Sequence, residues 1–221
     1  MRILVVGMGL IGGSICKTIK AATSHAVYGC DVQQAVLDDA IADGAIDGTG
    51  TMTDGTYDMI ILCLHQRIAI QMVQEALPKI PAGTILVDTC GLKGRMVRDL
   101  TYRCRKAGVR YVGTHPMAGR EKNGYYASIP NLFQNANLIV TPVDGTDEAA
   151  LDTVKELADQ MGFGKIVTAT PMWHDNMIAY TSQLAHVVSS SYVKDFCMDD
   201  ALSFSGGSFQ DMTRVATMDE S

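Results

Sequence analysis

Short apolar runs alternate along the chain with longer stretches whose apolar positions recur every three or four residues. Runs at residues 3–6, 25–30, 57–64, 84–87, 109–112, 137–141 and 165–169 predict buried strands, and residues 33–43, 68–77, 95–106 and 147–161 predict helices. Alternation of this kind predicts an α/β chain, with a Rossmann-like, doubly wound, mostly parallel sheet over residues 1–169. Pro171 marks a change of character. Residues 175–195 and 209–216 keep helical periodicity, and no strand follows them, so residues 170–221 predict an all-helical segment. Nothing later in the chain covers its apolar face. That implies either a continuation beyond the final MDES or a partner subunit.

The first strand runs directly into Gly7-Met8-Gly9-Leu10-Ile11-Gly12. Gly7 permits a tight turn, Gly9 lets backbone approach a pyrophosphate, and Gly12 lets the next helix pack on the strand. The first turn of that helix, at Leu10 and Ile11, then faces the phosphates. The second strand ends in Asp31, at the distance usual for a ribose-binding carboxylate, and the residues after it, Val32, Gln33 and Gln34, include no cation for a 2′-phosphate. The cofactor read from this pattern is NAD. The plainer alternative is that the glycines only shape a turn and that Asp31 caps the next helix.

Composition narrows the partners. A formal net charge of −6 over 221 residues gives no basic patch for nucleic acid or an anionic membrane, and no apolar run is long enough to span a bilayer. A small-molecule substrate fits better. The 6 cysteines are dispersed without a CxxC pair, so no metal site is expected, and reduced thiols in a cytoplasmic protein are the simplest reading.

In a doubly wound sheet, ligands bind beyond the carboxyl ends of the strands. Three such ends carry unusual sequences: LCLHQ with Leu64 and His65, DTCGLKG with Gly91, and GTHPMAG with His115. Leu64 and His65 are placed for cofactor contact, although His65 also reads as an ordinary strand-end residue. His115, fixed between Thr114 and Pro116, is placed to take a proton; the competing reading is a structural histidine. The stretch REKNGYYASIPNL, residues 120–132, suits a loop over the pocket rather than a core element.

Taken together and in order, GMGLIGGS, Asp31, DTCGLKG, GTHPMAG, WHDNMIAYTSQLAH and GGSFQDMTR resemble the prephenate and arogenate dehydrogenases over essentially the whole chain. The resemblance implies NAD-dependent oxidative decarboxylation in tyrosine biosynthesis, and a homodimer formed through C-terminal helices. It implies that His115 is the catalytic histidine, that Arg214 binds a substrate carboxylate, and that His174 and Gly207 line the substrate pocket. On residues alone, His174 and Asp175 read nearly as well as a helix cap. Three departures stand out. Gly91 replaces a serine that in many members bonds the catalytic histidine, leaving Thr89, Thr114 or a water to orient it. His65 stands where proline is common, and the family's chain continues beyond GGSFQDMTRVA. The alternatives from other classes are a β-hydroxyacid or imine dehydrogenase, whose catalytic helix lysine has no convincing counterpart here, and a non-catalytic NAD-binding protein.

Overall fold

The computed structural model describes residues 1–55, 57–194 and 203–214. The ends of the expected helices at 195, 215 and 216, together with Cys197, lie outside the described residues. By internal contacts the chain divides into Met1–His174 and Asp175–Ser221.

The first unit is an eight-stranded sheet. Its strands are β1 (Arg2–Val6), β2 (Ala26–Cys30), β3 (Gly48–Thr49), β4 (Met59–Leu62), β5 (Ile85–Asp88), β6 (Arg110–Pro116), β7 (Asn137–Val140) and β8 (Lys165–Thr168). They lie in the order β3-β2-β1-β4-β5-β6-β7-β8. The helices α1 (Leu10–Ala22), α2 (Gln34–Ala42), α3 (Gln66–Ala76), α4 (Gly94–Lys106) and α5 (Glu148–Gln160) pack on its faces. Alternate residues of β1 serve opposite sides, as the period of two in a strand requires. Ile3 and Val5 join one buried apolar cluster with residues of α1 and α5, and Leu4 and Val6 join another with residues of α3 and α4. A strand buried on both faces therefore reads as one continuous apolar run.

Strands β3 to β6 are parallel. β7 is antiparallel to β6, with Pro116 opposite Leu138, and β8 is parallel to β7. The reversal follows from the connection after β6, which carries a 3-10 turn at Tyr125–Ala127 instead of a crossover helix, so the chain re-enters the sheet at the end it left.

That connection departs from the expectation of a covering loop. Its first half is exposed, but Tyr125, Ala127, Ser128 and Phe133 are buried. Tyr125 donates to Asp43 Oδ2 at 2.9 Å, the Lys17 ammonium lies 4.5 Å from its ring centre, and Phe133 enters the core cluster. Aromatic side chains interleaved with polar ones look like a surface loop in sequence, yet here Tyr125 and Phe133 face inward while Tyr126 stays exposed.

Toward the C-terminus come α6 (Pro171–Ile178), a π-helical turn (Ala179–Gln183), α7 (Leu184–Val193) and α8 (Gly207–Arg214). The first of these helices starts earlier than its periodicity suggests. Thr170 Oγ1 accepts from Trp173 N at 3.2 Å, and Pro171 stands where a missing N–H costs nothing. The cap is thus Thr170, and the reading of His174 and Asp175 as the capping pair is corrected. In the second unit α7 and α8 pack together through the Tyr192 and Phe209 rings, 5.5 Å apart, and Ser189 donates to the Met212 carbonyl.

Candidate active site

The carboxyl ends of the parallel strands lie level, because Val6 pairs with Leu62, Leu62 with Asp88, and Asp88 with Gly113. Side chains just beyond these residues share one edge. At the β1 end, Gly7 has φ +93° and its amide donates to the Cys30 carbonyl at 2.8 Å. A Cβ on Gly7 would lie 2.4 Å from the Cys63 carbonyl oxygen, and one on Gly12 would lie 1.9 Å from the Gly7 carbonyl oxygen. Both positions exclude a side chain outright. Gly9 differs, since a Cβ there would meet nothing within 4 Å, so the space before α1 is open.

The start of α1 has neither a side-chain cap nor an acidic residue in its first turn. Its first helical bond runs from Gly13 N to Gly9 O, which leaves the amides of Leu10, Ile11 and Gly12 without helical acceptors. Such an end is suited to phosphate oxygens. Asp31 stands beside it, accepting from Met8 N at 2.7 Å through Oδ2 and from Gln33 N at 2.9 Å through Oδ1. It ties the glycine turn to the start of α2, and each oxygen keeps a further lone pair for a hydroxyl. Leu64 packs against Gly7, and His65 is the exposed N-cap of α3. Open space, uncapped amides and an adjacent carboxylate fit a dinucleotide with an unsubstituted ribose.

The β5 and β6 ends are built from charge. Asp88 and Lys93 are both completely buried and form an ion pair. The Asp88 carboxylate also accepts from Tyr111 OH at 2.6 Å and from Cys90 N at 2.9 Å. Burial and the Asp88 charge hold the Tyr111 phenol well above its ordinary range, so it remains a donor. Lys93 makes a further bond to the Thr114 carbonyl. In DTCGLKG the signal for this network is an aspartate closing an apolar strand, with a lysine five residues later.

His115, half-buried near the end of β6, brings Nδ1 to 2.9 Å from Nε2 of His174, which is 1% exposed. The rings meet edge to face with centres 5.1 Å apart. Neither Thr89 nor Thr114 orients His115 by donation, because their hydroxyls donate to the Leu62 and Asp88 carbonyls at 3.0 and 2.6 Å. His174, expected to line the substrate pocket, hydrogen-bonds the His115 ring. Gly91 lies near the same ring, its Cβ position 3.8 Å from His115 Nε2 and 3.9 Å from Cε1. A neutral His115 that donates from Nδ1 to His174 presents Nε2 as its acceptor. Gly207 and Arg214 are the first and last residues of α8, two helical turns apart on one face.

Residues 15–168 match the family described as "Prephenate dehydrogenase, nucleotide-binding domain", and residues 170–220 match "Prephenate dehydrogenase, dimerization domain". The chain belongs to the prephenate dehydrogenase family. Similar proteins include a cyclohexadienyl dehydrogenase of Zymomonas mobilis, 31% identical over 97% of this chain and 76% of that protein. A prephenate dehydrogenase of Bacillus subtilis is 29% identical over 97% of this chain but only 60% of its own length. The chain thus spans less than two thirds of that relative.

Among solved structures, arogenate dehydrogenase of Synechocystis superposes with a TM-score of 0.85 at 25% identity, covering 100% of this chain and 80% of that one. Prephenate dehydrogenase of Aquifex aeolicus, in complex with hydroxyphenyl propionate and NAD+, gives 0.83 at 28% identity, covering 100% and 79%. A 3-hydroxyisobutyrate dehydrogenase of Mycobacterium tuberculosis reaches 0.68 at 18% identity, a likeness of fold alone. Among the described residues no group of three or more His, Cys, Asp or Glu side chains is placed to hold a metal ion. No helix there is long and apolar enough to cross a membrane.

Proposed function

We propose that this chain catalyses the NAD-dependent oxidative decarboxylation of prephenate, or of its amino counterpart arogenate, in tyrosine biosynthesis. The observation that carries the reading is the His115–His174 hydrogen bond at a strand end level with the glycine turn. Bound NAD supplies the hydride acceptor. Gly7, Gly9, Leu10, Ile11 and Gly12 leave room and amides for its pyrophosphate, Asp31 receives ribose hydroxyls, and Leu64 and His65 border it at the β4 end. His115 takes the proton of the 4-hydroxyl at Nε2 as hydride departs from the carbon that bears it, carbon dioxide leaves C1, and the ring becomes aromatic. His174 acts through His115, holding the tautomer that leaves Nε2 as the base.

Arg214 offers a guanidinium fork to a substrate carboxylate, with Gly207 two turns earlier on the same helix face. Residues 170–220 serve a homodimer. The family match and the exposed Tyr180, Leu184, Val187 and Tyr192 support that assignment. Free cysteines, buried or half-buried among the described residues, suit a cytoplasmic setting.

The test is turnover of prephenate and of arogenate by the purified chain, followed by NADH absorbance and by the phenolic product. With Asp31 beside the ribose site, NADP should bind at least about tenfold more weakly than NAD, roughly 1.4 kcal/mol. Binding of NAD without turnover of either substrate would leave a nucleotide-binding protein in place of the enzyme.

A further inference from the structure

Lys93 is a completely buried lysine on which the chemistry above does not call. A buried ion pair is seldom more stable than an apolar replacement of the same shape, so its presence in this core asks for a purpose other than stability. The place of its second bond suggests one. The acceptor is the carbonyl of Thr114, whose peptide plane also carries the His115 nitrogen and leads directly to its Cα. Fixing that oxygen fixes the direction in which β6 delivers the imidazole.

The first bond works on the turn beside the ring. Asp88 binds the Lys93 ammonium and the Cys90 amide, which folds the turn between β5 and α4 back on itself. Gly91 lies in that turn, and a Cβ built on it would come 3.8 Å from His115 Nε2. One ammonium therefore constrains both the backbone that carries the histidine and the wall that faces its reactive nitrogen. Tyr111 holds the second carboxylate oxygen of Asp88 and stops it from turning away.

We propose that Lys93, through the Thr114 carbonyl and Asp88, is a positioning residue for His115 that keeps its Nδ1 on His174 and its Nε2 toward the substrate. The proposal rests on the reading of His115 as the base, so its test includes a measurement independent of turnover. Long-range ¹H–¹⁵N spectra of the 5 histidines, with His115 assigned through a His115→Gln spectrum, report its tautomer directly. The wild-type chain should show one His115 tautomer, protonated at Nδ1. Lys93→Met, and the charge-neutral pair Lys93→Met with Asp88→Asn, should show a mixture of tautomers.

In the same variants kcat should fall by about ten- to a hundredfold, the scale of a misplaced catalytic group. The prephenate KM and the NAD affinity should stay within about threefold. A folded variant with an unchanged His115 spectrum would overturn the proposal. Unfolding of both variants under conditions where the wild type stays folded would also overturn it, by making Lys93 a general element of stability. If the wild-type chain turns over neither substrate, the functional reading fails while the tautomer measurement still decides the role of Lys93.

Discussion

At the β1–β2 end of the crevice the site is made by leaving atoms out, whereas at the β5–β6 end it is made by burying charge. Gly7 and Gly12 admit no Cβ and Gly9 opens onto empty space, so backbone alone shapes the proposed phosphate cradle. Beside it, Asp88, Lys93 and Tyr111 form a buried polar network around the strand that carries His115. The contrast suits the two tasks. A cradle for a polyanion needs amides and room, while a base needs one side chain held in one tautomer and one direction.

The largest effect expected from this division is on His115. On the reading proposed for His115, His115→Ala removes the proton acceptor and nothing from the cradle, so kcat should fall by about 10² to 10⁴ while NAD affinity stays unchanged. Stopped-flow turnover together with an NAD fluorescence titration measures both. A matching loss of NAD affinity would mean that the two ends are not separate.

The same division explains how much could be read from sequence. The glycine cradle depends on neighbours within one turn, so spacing exposes it, and Asp31 follows at a recognisable distance. The apolar runs that became β1, β4 and β5 were legible for a similar reason, since a strand covered on both faces is apolar throughout, whereas the two-residue β3 carries no such run. The base end depends on contacts between residues far apart in the chain: Lys93 with Thr114, Tyr111 with Asp88, and His115 with His174. No local pattern encodes those pairings. Segment 120–132 failed to show its buried half because Tyr125 is held by Asp43, a residue of the region after α2.

A smaller effect is expected at the cradle itself. In Gly12→Ala the new methyl must displace the Gly7 carbonyl, because its ideal position lies 1.9 Å from that oxygen. Overpacking of this kind costs about 1–3 kcal/mol, so the denaturant midpoint should drop and NAD should bind more than about tenfold more weakly. At saturating NAD the pH profile of kcat should stay that of the wild type, since the His115–His174 bond lies outside the change. A shifted profile would show that the cradle and the base are coupled.

The smallest effect concerns two thiols, one at each end. Cys63 borders the glycine turn, and Cys90 lies in the turn that carries Gly91. Burial pushes both thiols up to about 12, with the Asp88 charge adding to it, although Thr89 opposes the rise at Cys63 and Lys93 opposes it at Cys90. A raised thiol pKa keeps the unreactive form until pH approaches that value, so at pH 8 the folded protein holds on the order of 10⁻⁴ as thiolate. Iodoacetamide at pH 8 should therefore leave both unlabelled over the time in which a small thiol reacts fully. What labelling does occur passes through local opening, and the two cysteines then report which end opens. Lys93→Met should speed alkylation of Cys90 by about tenfold, because the turn loses its anchor, and leave Cys63 unchanged because the cradle is held by backbone packing. Equal acceleration at both sites, read by peptide mass spectrometry, would show that the buried pair supports the whole crevice and that the two ends are one structure.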